Sequence, residues 1–165
     1  MDETAFDAFY NASFGRIVVQ VAAMIGNRDE AMDCVQEAFI RAWDHRRQLS
    51  ADLSPDGWVR TTAYRLAVGR WRRRGMDVRA EDRSLPRPGG PQPSEDRVAI
   101  DAALAKLPAD QRRAIVLYHF ADLSVAEIAH ETGVPTGTVK ARLSRARTAL
   151  STLLNDRLPE ENRHV

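Results

Sequence analysis

The sequence predicts an all-α protein with two small helical domains joined by a Pro-rich linker. Apolar residues recur at a helical period on both sides of the chain's middle, and no segment alternates as a strand does. Residues 76–95, MDVRAEDRSLPRPGGPQPSE, contain four prolines and two glycines, which block helix continuation and favour an extended path. We therefore divide the chain into residues 1–75, a linker at 76–95 and residues 96–165. A long loop inside one domain is the alternative, although such loops are uncommon.

The first domain is expected to contain three helices. Ala5–Ile25 and Arg28–Asp44 carry apolar residues at helical spacing, and Gly26-Asn27 separates them. Pro55-Asp56-Gly57 is a predicted turn, with Asp56 as the candidate N-cap. A third helix is then expected from about Gly57 to Arg74.

The third helix carries six arginines and no acidic residue between Asp56 and Asp77. On a helical wheel, Trp58, Thr61, Arg65 and Arg72 lie away from the apolar stripe. Arginines interleaved with aromatic rings are typical of proteins that bind nucleic acid with unstacked bases. The alternative places the tryptophans in the core and leaves the last arginines as a solvated helix end stabilised by the helix dipole.

The second domain contains a pattern typical of a helix-turn-helix. Ser124 and Glu127 have capping-box spacing at the start of a short helix. Gly133 supplies a tight turn, because glycine adopts positive φ without strain. Val139 then begins the apolar stripe of a second helix that packs on the first.

The second helix of this pattern carries four basic residues between Thr132 and Asn155 and no acidic one. Its solvent side combines short side chains with cations, which suits a DNA major groove. Its candidate contact residues are Lys140, Ala141, Ser144 and Arg145. A solvated amphipathic helix is the alternative, but the capped helix and the tight turn before it favour DNA binding.

Composition narrows the class of protein. The 165 residues carry a net charge of +1 and 44% hydrophobic residues, and no apolar run approaches the ~18 residues of a membrane span. The N-terminus lacks the pattern of a signal peptide, and a single cysteine, Cys34, fits a reducing compartment. The four histidines are scattered, and no phosphate-binding or nucleophile motif occurs. We expect no enzymatic activity, cofactor or metal.

Taken in order, these segments resemble a bacterial extracytoplasmic-function (ECF) sigma factor. FDAFYNASFGRIVVQVAAMIGNRDEAMDCVQEAFIRAW resembles the first two helices of that family. GWVRTTAYRLAVGRWRRR resembles its promoter-melting helix, and LPADQRRAIVLYHFADLSVAEIAHETGVPTGTVKARLSRARTAL resembles its helix-turn-helix domain. Helix-turn-helix sequences are common, but the ordered set around a Pro-rich linker is specific.

The resemblance implies a role for each segment. Asp33, Gln36, Glu37 and Arg41 would bind the clamp coiled coil of the beta-prime subunit of core RNA polymerase. The minus-ten promoter element would be met by Trp58, Thr61, Arg65 and Arg72. The minus-thirty-five element would be met by Lys140, Ala141, Ser144 and Arg145. The resemblance also implies promoter DNA as a ligand and a separate anti-sigma factor as a partner. From the composition we expect no membrane span and a cytoplasmic location.

The sequence departs from the family pattern at two places, and two functions other than that of a sigma factor are compatible with it. Pro135 stands where the family often has a capping Ser, and YRLAVG stands where many members carry Asn and Asp. A helix-turn-helix regulator acting without core polymerase would bind duplex DNA tightly by itself, often as a dimer. An adaptor that binds only proteins would show little salt-dependent binding to nucleic acid.

Overall fold

The computed structural model describes residues 1–49, 54–75 and 94–156. All regular elements in these ranges are helices, which confirms the predicted all-α class. The helices, numbered in chain order, are α1 (Glu3–Ile25), α2 (Arg28–Asp44), α3 (Pro55–Arg73), α4 (Glu95–Ala105), α5 (Ala109–His119), α6 (Val125–Thr132) and α7 (Thr136–Asn155). Apart from Ser94 and Glu95, the predicted linker lies outside the described residues. The chain forms two compact units, the first containing α1–α3 and the second α4, α5, α7 and most of α6.

The first unit is a bundle in which α1, α2 and α3 each pack on the other two. Its core is built from small and β-branched side chains that permit close helix approach. Fully buried members include Ile17, Val21, Ala31, Cys34, Val35, Ala38, Ala42, Val59 and Ala63. Phe6, Phe9, Phe39 and Trp43 extend this core as an aromatic cluster in which Phe6 meets Trp43 edge to face, with ring centroids 5.1 Å apart.

The helix starts of the first unit are set by local side-chain caps. Asn27 accepts a hydrogen bond from the Glu30 backbone N–H at 3.0 Å, so α2 begins where the sequence predicts. The prediction that Asp56 caps α3 was wrong. Ser54 accepts from the Gly57 N–H at 3.1 Å, and the proline that follows occupies the first helical position. Asp56 instead forms an ion pair with Arg16 of α1.

Among the described elements, α1 alone is long and apolar enough to cross a membrane by length and composition. A window of 18 residues within it reaches a mean hydropathy of 1.2, although the chain has no uninterrupted apolar run of that length. The core helix of a soluble protein passes the same test, and α1 contributes much of the first unit's core. The absence of a membrane span stays a prediction.

The second unit is organised around α7, which packs against α4 and α5. The buried side chains of the second unit are mainly aliphatic. They include Leu104, Leu107, Ile115, Val116, Leu117, Ile128, Val139, Leu143 and Ala146. The predicted apolar stripe of the second helix in the helix-turn-helix is therefore confirmed at its first three positions.

The turn between α6 and α7 has the geometry that the sequence predicts. Ser124 accepts from the Glu127 N–H at 3.1 Å, and its hydroxyl also lies 3.0 Å from the Glu127 carboxylate. Gly133 adopts the left-handed conformation, with φ of 71°, and its N–H donates to the Ala129 carbonyl. Pro135 precedes α7 and supplies no side-chain cap.

Gly133→Ala should destabilise the second unit, whereas Gly137→Ala should not. A Cβ at either position meets nothing within 4 Å, so sterics with neighbours do not separate the two. At Gly133 the left-handed backbone should cost roughly 1–2 kcal/mol with any other L-residue. Gly137 lies inside α7, where alanine should instead add about 0.5–1 kcal/mol of stability.

The measurement is native-state hydrogen exchange of core amides in α5 and α7 of the full chain. The expected result is faster exchange for Gly133→Ala and equal or slower exchange for Gly137→Ala. Equal protection in both variants would contradict the conformational argument.

Candidate functional site

The polar side of α7 presents the four residues predicted to contact DNA. Lys140, Ser144 and Arg145 are exposed, and Ala141 is half-buried. Their direction is set by the opposite side of the helix, which is fixed in the core through Val139, Leu143 and Ala146. The short side chains at positions 141 and 144 leave the α7 backbone accessible between the two longer cations.

Two of the four cations on α7 are held by intramolecular partners. The Arg142 guanidinium lies 3.6 Å from the Asp110 carboxylate at the start of α5. Arg147 stacks over the Tyr118 ring, with its guanidinium carbon 5.1 Å from the ring centroid. Among the described residues, neither Lys140 nor Arg145 has an ion-pair partner. Lys140 and Arg145, two of the four predicted DNA contacts, are therefore the α7 cations that are free to bind an external ligand.

An open groove runs between the start of α5 and the first half of α7. From α7 it is lined by Gly137, Thr138, Ala141, Arg142 and Arg145, and from the α5 side by Pro108, Asp110 and Gln111. Because its α7 wall is made largely of small residues, a ligand backbone can approach the helix closely there. The groove borders two of the four predicted contacts.

In the first unit, the outward side of α2 carries the predicted polymerase-binding residues. Asp33 and Gln36 are exposed. The Glu37 carboxylate accepts from the Arg41 Nε at 3.2 Å, one turn along the helix. Ile40 lies among them with 61% of its surface exposed. Ile40 was not among the residues predicted to bind polymerase.

A second groove lies between the end of α2 and α3. It is lined by Arg41, His45, Trp58, Thr62, Arg65, Leu66 and Arg73. Three guanidinium groups, an indole and an imidazole thus converge on one open cleft, and Arg41 belongs both to this cleft and to the outward side of α2. Guanidinium groups attract phosphate and flat rings stack on bases, so the cleft suits a single nucleic-acid strand.

His45 lines this groove, although the sequence did not mark it as a site residue. Its ring lies 5.8 Å from the Trp58 ring, centroid to centroid, with a tilt of 35°. Its Nδ1 lies 2.9 Å from the Arg41 carbonyl oxygen. A carbonyl oxygen only accepts, so Nδ1 carries a proton and donates, which fixes the orientation of the ring. No local motif marks this histidine, since its role depends on α2 ending beside α3.

Comparison with known families accounts for both units. The family model for Sigma-70 region 2 matches residues 12–76, and the model for Sigma-70 region 4 matches residues 97–150. An ECF RNA polymerase sigma factor, EcfG of Rhodopseudomonas palustris strain TIE-1, is 33% identical over 136 residues. That alignment covers 80% of this chain and 75% of the relative. The chain belongs to the ECF family of RNA polymerase sigma factors.

Other relatives of this ECF sigma factor agree with the assignment. The ECF sigma factor SigW of Bacillus subtilis is 29% identical over 171 residues, covering 94% of this chain and 91% of the relative. The sigma factor RpoE of Bartonella quintana, solved in complex with the anti-sigma factor NepR, aligns with a TM-score of 0.77 and 26% identity. It covers 93% of this chain and 99% of that one. The chain is thus a transcription initiation factor, and its domains imply RNA polymerase and promoter DNA as partners.

Thr61, one of the residues predicted to contact the minus-ten element, is buried in the structure. Thr61 is only 4% exposed, and its hydroxyl has no hydrogen-bond partner among the described residues. Its neighbour Arg60 is buried as well and donates to Gln20 of α1 at 2.8 Å. Thr61 is therefore not available at the surface, whereas Thr62 lies in the groove beside Trp58. A wheel drawn at 100° per residue places Thr61 away from the apolar stripe of α3, but it carries no information about what covers that side of the helix.

The arginines at the end of α3 also differ from one another. Arg72 is exposed, like Arg65, but does not line the groove. Arg74 pairs with Glu30 at the start of α2, at 3.3 Å, and so joins the two helices. Of the residues predicted to contact the minus-ten element, Trp58 and Arg65 line the groove, whereas Arg72 is exposed outside it.

Cys34 is the single cysteine of this sigma factor and is fully buried in the first unit. Burial raises the pKa of its thiol. Cys34 is thus a packed member of the first unit's core. Within residues 1–49, 54–75 and 94–156, no group of three or more His, Cys, Asp or Glu side chains could hold a metal ion.

Proposed function

We propose that the outward side of α2 is the surface by which this ECF sigma factor binds core polymerase. Asp33, Gln36 and Glu37 form a polar, mainly acidic surface there, and Arg41 continues it through its ion pair with Glu37. The resemblance to the family suggests the clamp coiled coil of the beta-prime subunit as the receiving element. Because the outward side of α2 is mainly acidic, we expect the polymerase element that binds it to be basic.

We propose further that the groove between α2 and α3 receives the unpaired non-template strand of the minus-ten element. Trp58 and His45 supply ring faces, and Arg41, Arg65 and Arg73 supply charge for the phosphates. Thr62 replaces Thr61 in this proposal because it lies in the groove. Arg72 is assigned to general phosphate attraction, since it is exposed outside the groove.

The minus-thirty-five element is assigned to α7. Arg145 is the proposed reader of a base, and Lys140 is the proposed contact at the edge of the major groove. Ala141 and Ser144 permit close approach. The observation that carries this assignment is that, among the four cations of α7, only Lys140 and Arg145 have neither an ion pair nor a cation–π contact within the described residues.

We propose that catalysis belongs to the polymerase and that this chain supplies recognition, acting in the cytoplasm where the polymerase acts. A separate anti-sigma factor is proposed as its regulator. This proposal is supported by the fold shared with the RpoE of the Bartonella quintana complex, which is bound to an anti-sigma factor.

The whole function is tested by reconstitution with core RNA polymerase. The template is a pool of DNA fragments in which the minus-thirty-five and minus-ten segments are randomised. Addition of the chain should yield transcripts that select two sequence blocks, while the chain without core should bind the pool weakly. Tight, sequence-specific binding without core, together with no selected transcripts, would instead establish the regulator that acts without polymerase.

Arg65→Ala and Arg72→Ala should affect promoter opening differently. Arg65 lines the groove and Arg72 does not, so loss of Arg65 should reduce open complex more than closed complex. His45→Ala should act in the same direction, because base stacking on a ring contributes about 1–3 kcal/mol per base. The measurements are permanganate reactivity for open complex and filter binding at low temperature for closed complex. Equal losses in the Arg65 and Arg72 variants would remove the groove from strand capture.

Arg145→Ala and Arg147→Ala form a matched pair on α7. If Arg145 reads a base, its loss should cost roughly 1–3 kcal/mol and relax the preference at one minus-thirty-five position. Arg147 is stacked on Tyr118, so its loss should leave the sequence preference unchanged. The measurement is a promoter-variant panel with holoenzyme at two salt concentrations. A uniform loss for Arg145→Ala, with the salt slope lower by about one, would assign Arg145 to phosphate and leave Lys140 as the candidate reader.

A further inference from the structure

Ile40 is the most exposed large apolar side chain among the described residues, at 61% of its surface. It lies nine residues beyond Ala31, which is fully buried. At about 100° per residue, nine residues bring the chain to the opposite side of the helix. Ile40 therefore points directly away from the core of the first unit, while its neighbour Phe39 is only 3% exposed.

Ile40 takes no part in the core of the first unit. The inward side of α2 already has a continuous set of buried apolar residues, and Ile40 belongs to neither the core cluster nor the partly buried residues packed against it. A single exposed aliphatic residue is common on protein surfaces. Its position among the other residues of α2 is what distinguishes this one.

Ile40 stands at the centre of the proposed polymerase-binding surface. Gln36 and Glu37 lie one turn before it, Asp33 lies two turns before it, and Asp44 lies one turn after it. Asp33, Gln36 and Asp44 are exposed. An apolar side chain surrounded by polar ones has the organisation of an interface hot spot, in which the polar rim excludes water from a central anchor.

Two other exposed apolar residues of the first unit, Tyr10 and Trp71, do not share this setting. Tyr10 is 37% exposed and packs its ring against Phe14 and Phe39. Trp71 lies among the arginines near the end of α3. The carboxylates around Ile40 favour a partner surface with basic side chains, and that is the charge already required of the polymerase element that receives α2.

We propose that Ile40 is the apolar anchor of the contact between this sigma factor and core polymerase. It would enter an apolar depression bordered by basic side chains on the polymerase. This inference rests on the proposed function of α2, and it adds that the affinity comes mainly from one aliphatic side chain while the acidic residues set orientation and association rate. Binding should therefore depend on the size and polarity of residue 40 more than on salt.

The test is a titration of core polymerase with the full chain labelled at its N-terminus, read by fluorescence anisotropy. Ile40→Ser should weaken binding by about 10- to 30-fold, as expected for a central hot spot, and Ile40→Leu should stay within about twofold of the parent chain. Val98→Ser is the matched control, because Val98 is 50% exposed on α4 in the second unit. It should leave the affinity unchanged. Circular dichroism should give the same melting temperature for the parent chain and Ile40→Ser.

The outcomes separate this inference from the proposed function. If the parent chain does not bind core at all, the proposed function of α2 is wrong. If Asp33→Ala with Glu37→Ala weakens binding but Ile40→Ser does not, the surface is right and the anchor is wrong. A lowered melting temperature in Ile40→Ser would assign the residue to folding and overturn the proposal. The proposal would also be overturned if sedimentation showed that Ile40→Ser dissociates a dimer of this chain without changing its affinity for core polymerase.

Discussion

The functional surfaces of both units depend on one constraint: a helix that buries an apolar stripe fixes the direction of everything on its other side. In α2, Ala31 and Val35 are fully buried, and Asp33 and Gln36 are consequently exposed. In α7, the buried stripe starting at Val139 sets the direction of the cations. Neither surface needs contacts of its own to be ordered, because the core supplies the order. Side chains that must bind another molecule are thus held in place and left free.

Intramolecular partners then decide which outward side chains are available. Arg142 and Arg147 are charged and lie on the DNA-facing helix, yet one pairs with Asp110 and the other stacks on Tyr118. The same division occurs near the second groove, where Arg74 ties α3 to α2. The number of cations in a segment therefore overstates its capacity for phosphate. A protein with nearly balanced charge can still present a strongly basic surface, provided that its acidic residues neutralise the cations that do not take part.

Elements with local causes could be predicted from the sequence, and contacts between elements could not. The range Arg28–Asp44 was predictable because a glycine break and a capping asparagine adjoin its start. Ser54 and Asp56 were both suitable caps, and the choice depended on the proline between them fitting the first helical position. His45 and Thr62 meet in one groove only because the end of α2 packs beside α3. The spacing of residues along one helix carries no information about that neighbour.

The buried position of Cys34 limits the reactivity of its thiol toward oxidants in the cell. An oxidant or a thiol-reactive metabolite attacks the thiolate, and a cysteine that is out of solvent and whose pKa is raised by burial offers very little of it. These 165 residues contain no other sulfhydryl group. Cys34 is therefore a poor target for direct oxidation while the first unit is folded.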